Sequence, residues 1–138
     1  MKILILCTGN SCRSQMAEGF LKLLAPGYEI YSAGTKPSRE VHPKAIDVMK
    51  ECGVDLTKNY PKNVNQFLNE NFDYVITVCG GAKESCPSFS GMVKTRLHIG
   101  FDDPAEAIGT EKEIYGVFRR VRDEIKRNFT DFFKELKL

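Results

Sequence analysis

Short apolar runs alternate along this chain with longer stretches in which apolar residues recur every three or four positions. Ile3 to Leu6 is unbroken apolar sequence and predicts a short buried strand over Lys2 to Leu6, ended by the turn residues Thr8, Gly9 and Asn10. From Arg13 the period changes. Met16, Ala17, Phe20, Leu21, Leu23 and Leu24 fall mostly on one helical face, and Pro26-Gly27 stops that helix. Tyr28 to Ser32 predicts a second strand closed by Ala33-Gly34, and Pro43 opens a helix that carries Ala45, Ile46 and Met49 and ends at Gly53. Val64 to Leu68 predicts a short helix. Tyr74 to Val78 predicts a third strand with Cys79 at its carboxyl end, and Thr95 to Ile99 a weaker fourth. From about Glu113 to Leu136, Ile114, Val117, Phe118, Val121, Ile125, Phe129, Phe132, Phe133 and Leu136 repeat at helical spacing, opposite a face rich in Lys, Arg, Asp and Glu. A long amphipathic helix packed on the sheet is the expected result.

Strands separated by helices imply right-handed crossovers and a parallel sheet. The expected fold class is therefore α/β: a single domain over residues 1–138, with a four-stranded parallel sheet flanked by helices on both faces. No linker-like tract or internal repeat divides it. Folds of this kind bind ligands beyond the carboxyl ends of their strands. Cys7 and Cys79 both fall at such an end.

Composition adds mainly exclusions. The 42% apolar fraction is ordinary, and no segment approaches the roughly 20 apolar residues of a membrane span. The first apolar run is too short for a signal peptide, so a cytoplasmic location is expected. Twenty basic and 18 acidic residues give a net charge of +2, which does not suggest nucleic acid as a partner. Five cysteines (7, 12, 52, 79 and 86) are many for such a chain, and an odd number without an export signal argues against a static disulfide framework. No C-x-x-C occurs, and His42 and His98 are not paired at ligand spacing, so no structural metal is expected.

The stretch CTGNSCRS, Cys7 to Ser14, leads from the first strand into the first helix. Backbone N–H groups of Thr8, Gly9, Asn10, Ser11, Cys12, Arg13 and Ser14 can point inward there as an anion nest at a helix N-terminus. Arg13 offers a planar fork for two oxygens of a tetrahedral anion. The same field is expected to lower the pKa of Cys7, and Ser14 can donate a hydrogen bond to its sulfur. No G-x-x-x-x-G-K-[ST] or G-x-G-x-x-G competes with this reading. A nucleophilic thiol facing a bound oxyanion is the chemistry this loop suggests.

CTGNSCRSQMAEG resembles the signature of the low-molecular-weight protein tyrosine phosphatase superfamily, and within it the thioredoxin-coupled arsenate reductases. The likeness extends through YSAG (31–34), HPKAI (42–46), the Cys79/Cys86 segment, GFDDPA (100–105) and RVRDEIK (120–126). It implies Cys7 as nucleophile, Arg13 as oxyanion clamp and Asp103 as general acid. Asp103 is preferred over Asp102 because the family's acid directly precedes a proline.

Two activities share that machinery, a reductase and a phosphatase. CGGAKESC, Cys79 to Cys86, favours the reductase. Arsenic held by a thiolate can leave as arsenite if a second thiol, Cys79, attacks the Cys7 sulfur. A third, Cys86, can then take over the disulfide for thioredoxin to reduce. Phosphate hydrolysis needs neither. In a continuous helix, residues 79 and 86 would stand about 10 Å apart, beyond the roughly 7 Å Cα separation that a disulfide tolerates. The segment must therefore unwind, and Gly80-Gly81 weakens any helix there. Ala105, Glu106 and Ala107 stand where the phosphatases carry aromatics, and Gln15 where they usually carry proline. Arsenate reduction is thus the expected function, with a weak phosphatase side activity. The alternative is a low-molecular-weight phosphatase working through a cysteinyl-phosphate.

The expected partners are arsenate or another tetrahedral oxyanion and thioredoxin, acting on a monomer with no tightly bound cofactor. Some relatives bind potassium beside the loop. Asn10, Glu18 and Ser32 match that set, whereas Pro61 and Asn63 depart from it, so potassium binding is expected to be weak or absent. Cys12 is expected to pack rather than react, Cys52 to be buried, His42 to shape a helix entry, and His98 to line the fourth strand.

Overall fold

The computed structural model describes residues 1–137. Four strands, β1 (Lys2–Cys7), β2 (Glu29–Gly34), β3 (Phe72–Thr77) and β4 (Val93–His98), form one all-parallel sheet in the order β2-β1-β3-β4. The helices are α1 (Arg13–Leu24), α2 (Pro43–Lys50), α3 (Gly80–Ser85) and α4 (Glu111–Leu136), with 3-10 turns at Val64–Phe67 and Pro104–Glu106.

The apolar run of β1 explains its place. Ile3, Leu4, Ile5 and Leu6 are wholly buried, as a strand covered on both faces and flanked by two neighbours requires. β4 is the opposite case. It has one paired neighbour, and only Val93 and Leu97 are half-buried while the other four residues are exposed, which is why VKTRLH carries a weak strand signal. α1 and α2 each pack on α4, while α3 lies against β1 and β3. In α4, Phe118, Val121, Ile125, Phe129 and Phe132 are buried at the spacing the sequence predicts. Arg122, on the same helix, is also buried. Its Nη1 donates to Val48 O at 2.9 Å and to Glu51 Oε1 at 2.7 Å, fastening α4 to the end of α2. Hydrogen bonds from Arg119 and Arg122 pull the Glu51 carboxyl down to about 2.

The boundaries differ from expectation at several ends. β2 runs on through Ala33-Gly34 because these small residues still pair with Leu6 and Cys7, where the sequence suggests a closing turn. β3 and β4 begin earlier than predicted, at Phe72 and Val93, which pair with each other; Val78 and Ile99 lie outside the strands. α2 stops at Lys50, three residues short of Gly53, whose φ of +76° belongs to the turn that follows. α4 begins at Glu111 rather than Glu113, under a capping box in which Thr110 and Glu113 bond each other's backbone. His42 caps α2, its Nδ1 accepting from Lys44 N at 3.1 Å.

Candidate active site

The chain from Cys7 to Arg13 joins β1 to α1, and the extended segment after β2 runs beside it. Thr35, Lys36, Ser38 and His42 donate their backbone N–H groups to the carbonyls of Cys7, Thr8, Gly9 and Ser11 at 2.8–3.2 Å. A peptide's N–H points opposite to its carbonyl, so fixing these four carbonyls outward turns the N–H groups of Thr8, Gly9, Asn10 and Cys12 to the other side. The Asn10 N–H points at Cys7 Sγ, 3.1 Å away. The shape of the loop is thus set by the backbone of its neighbours.

Beneath it lies a polar network centred on the Asn10 amide. The Lys62 backbone N–H can only donate, and it does so to Asn10 Oδ1 at 2.9 Å, which fixes the orientation of that amide. Asn10 Nδ2 therefore donates to Ser14 Oγ (2.7 Å) and Ser32 Oγ (3.0 Å). Ser14 Oγ, accepting there, also lies 2.8 Å from Cys7 Sγ, and its proton is free to donate to the sulfur once that is a thiolate. Gln15 braces the arrangement from below by donating to Asn10 O and to Tyr60 O, each at 3.2 Å. Asn10 has a φ of +52°, a left-handed conformation that asparagine tolerates better than most residues.

A cleft of about 270 Å3 opens above Cys7, walled by Thr8, Gly9, Ser11, Cys12 and Arg13 on one side and by Lys36, Ser38, Asp103 and Ala105 on the other. The side chains of Asn10 and Ser14 are not among its walls. Both are wholly buried and act from beneath on the sulfur. Lys36 and Ser38 are wall residues that no motif signalled, because they arrive from a separate segment.

Cys7 itself departs from the expected direction. Burial pushes its thiol up, and the hydrogen bonds from Ser14 and Asn10 offset only part of that. The Arg13 guanidinium donates to Phe101 O at 3.2 Å and sits 3.5 Å from Asp103 Oδ2. Cys12 is buried at the N-cap of α1, and burial pushes it up to about 12, so it stays a thiol. Cys52 is only half-buried, where full burial was expected.

Asp103 and Asp102 separate cleanly. Asp103 faces the cleft and accepts from Ala105 N at 3.0 Å, whereas Asp102 pairs with Arg120 on the outside at 3.1 Å. The register of β1 with β3, continued two residues past the paired Leu6 and Thr77, brings Cys79 opposite Thr8. Cys79 is buried and caps α3, its Sγ accepting from Ala82 N at 3.3 Å and lying 3.4 Å from Thr8 Oγ1. Cys86 ends the same helix, half-buried, with Sγ 3.6 Å from Pro87 O. All five cysteines are free thiols. His98 Nδ1 is 2.8 Å from Thr77 Oγ1, on β4 and away from the nest.

Gly34 has no room for a side chain. A Cβ there would overlap Thr8 O and stand 3.1 Å from Asn10 N, and both obstacles are backbone. Gly34→Ala is therefore expected to cost about 2 kcal/mol of stability and to weaken phosphate binding at the cleft. Urea unfolding and phosphate titration of the variant measure the two effects.

Residues 2–138 match the family model for low molecular weight phosphotyrosine protein phosphatase. The chain is 47% identical over 131 residues to an arsenate reductase of Halalkalibacterium halodurans, spanning 94% of this chain and 93% of that protein. Among solved structures, an arsenate reductase in its phosphate-binding state superposes with a TM-score of 0.79 at 32% identity, covering 97% of each chain. A thioredoxin-dependent arsenate reductase of Corynebacterium glutamicum superposes at 0.69 and 26% identity, covering 99% of this chain and 60% of that one.

Proposed function

This chain belongs to the low molecular weight phosphotyrosine protein phosphatase family, and from that premise we propose that it is an arsenate reductase working through Cys7, Cys79 and Cys86, with thioredoxin as electron donor. The observation that carries this reading is the second sulfur. Cys79 stands at the rim of the nest that holds Cys7, linked to it through the Thr8 hydroxyl. A hydrolase has no use for it there.

Arsenate enters the cleft against the inward N–H groups and the Arg13 fork. Cys7 passes its proton to an oxygen of the arsenate dianion and attacks arsenic. Asp103 protonates the departing oxygen, so one water leaves and a cysteinyl-arsenate remains. The Ser14 hydroxyl and the Asn10 N–H hold the sulfur as it gains and shares charge. Cys79 then attacks the Cys7 sulfur. The S–As bond breaks, its electron pair goes to arsenic, arsenic falls from the +5 to the +3 state, and arsenite departs with the proton of the Cys79 thiol. The two sulfurs are left as a disulfide. Cys86 attacks Cys79, Cys7 becomes a thiol again, and the dithiol of thioredoxin reduces the Cys79–Cys86 bond.

The last transfer requires α3 to come apart. Cys79 and Cys86 cap its two ends, and seven residues of helix rise separate them by about 10 Å. Purified protein supplied with thioredoxin, thioredoxin reductase and NADPH tests the proposal. Arsenate-dependent NADPH oxidation is expected, and its absence overturns the reading. Slow hydrolysis of aryl phosphates accompanies it, because the nest accepts either anion.

No tightly bound cofactor is needed, and the residues beside the loop do not suit potassium. Asn10 Oδ1 already accepts from Lys62 N and Gln15 Nε2. Glu18 Oε2 is paired with Lys22 Nζ at 3.2 Å, and the Glu18 charge also acts on the Lys62 ammonium. The thermal midpoint is accordingly expected to be the same in potassium and sodium salts, and a rise specific to potassium would refute this. No helix among the described residues is long and apolar enough to cross a membrane. A cytoplasmic monomer accords with that reading.

A further inference from the structure

The two glycines that open α3 are not equivalent. A Cβ added at Gly80 would meet nothing within 4 Å, whereas one at Gly81 would stand 2.7 Å from Thr8 Oγ1. That hydroxyl is the group that touches Cys79 Sγ. We infer that Gly81 is a positioning residue for the second thiol: its missing side chain leaves the space in which the Thr8 hydroxyl reaches the Cys79 sulfur. The inference rests on the reductase reading for its place in turnover, but not for its geometry.

A Cβ at 2.7 Å cannot be accommodated without a shift, and Thr8 is the part able to move. Threonine is branched at Cβ and has few χ1 wells, so its hydroxyl leaves by a change of rotamer. The backbone of Thr8 cannot follow, because its carbonyl is held by Lys36 N at 2.9 Å. Cys79 Sγ then keeps only the Ala82 N–H as a donor. As a thiolate, that sulfur can only accept. The Thr8 hydroxyl must donate to it then, and the thiolate is the form that attacks.

Gly80 supplies the control. Alanine at either position favours the helical state of α3 by a similar amount, but only alanine at 81 displaces Thr8. Two readouts separate the outcomes. The first is the rate of iodoacetamide alkylation of Cys79 at fixed pH, followed by peptide mass. The second is the rate of arsenite release in a single turnover. Gly81→Ala is expected to slow both about tenfold, while Gly80→Ala changes each less than twofold. In a Thr8→Val background, Gly81→Ala is expected to have no larger effect than Gly80→Ala. Equal rates for the two alanine variants would overturn the inference, and so would an effect of Gly81→Ala that persists without the Thr8 hydroxyl. If no variant or parent released arsenite, the reductase reading would fail, while the alkylation rates would still decide the role of Gly81.

Discussion

Cys86→Ser is expected to release one arsenite per protein molecule and then stop. Cys7 and Cys79 suffice for the first reduction, because the β1–β3 register places them at neighbouring strand ends. They finish joined to each other, and no further thiol is at hand to part them. Cys12 is buried and pushed up to about 12, and it is already used in packing at the α1 N-terminus. Steady-state arsenate reduction should fall at least 100-fold, with a burst of one equivalent and a Cys7–Cys79 disulfide identified by peptide mass. Sustained turnover above a tenth of the parent rate would mean that thioredoxin reaches the inner disulfide directly, and the third thiol would lose its role.

Arg13→Lys is the second large effect. An ammonium keeps the charge but loses the planar fork, which can face two oxygens of an anion at once. In the resting site the guanidinium is held at the cleft wall by Phe101 O and Asp103. Lysine's three donors radiate from one nitrogen and cannot offer two parallel bonds to substrate oxygens while a wall carbonyl is held. kcat/KM for arsenate is expected to drop about 100-fold, the size of effect seen when a preorganised donor is removed from a developing anion. Stability should move little, since Arg13 lies at the mouth and not in the core. A drop below threefold would mean that the backbone nest binds the anion alone.

Much of this was legible from the chain itself. The apolar run of β1, the punctuation by Pro26-Gly27 and the long stripe of α4 each follow from local periodicity, which neighbours do not alter. The loop from Cys7 to Ser14 stood out because its candidate chemistry is contiguous. What escaped comes from other segments. Lys36 and Ser38 wall the cleft only because the chain after β2 pairs with the loop. The buried positions of Asn10 and Ser14 depend on Ser32 and on the Lys62 backbone, each far away in sequence. The upward push on Cys7 is a matter of burial, and no motif reports how much water reaches a sulfur. The strand ends at Gly34 and Phe72 were missed for a related reason: pairing, not propensity, decides where an edge stops.

The outward carbonyls of the Cys7–Ser11 loop have one more consequence. Because neighbouring backbone already fixes their direction, an arriving anion has no loop to reorganise and no shape change by which to announce itself. Phosphate, with the same charge and the same tetrahedron, should dock as readily and act as a competitive inhibitor. Selection between the two elements must then fall after docking, at the moment of electron transfer. Thiols can reduce pentavalent arsenic but not pentavalent phosphorus, so the protein discriminates by what its guest can undergo and not by what it will admit.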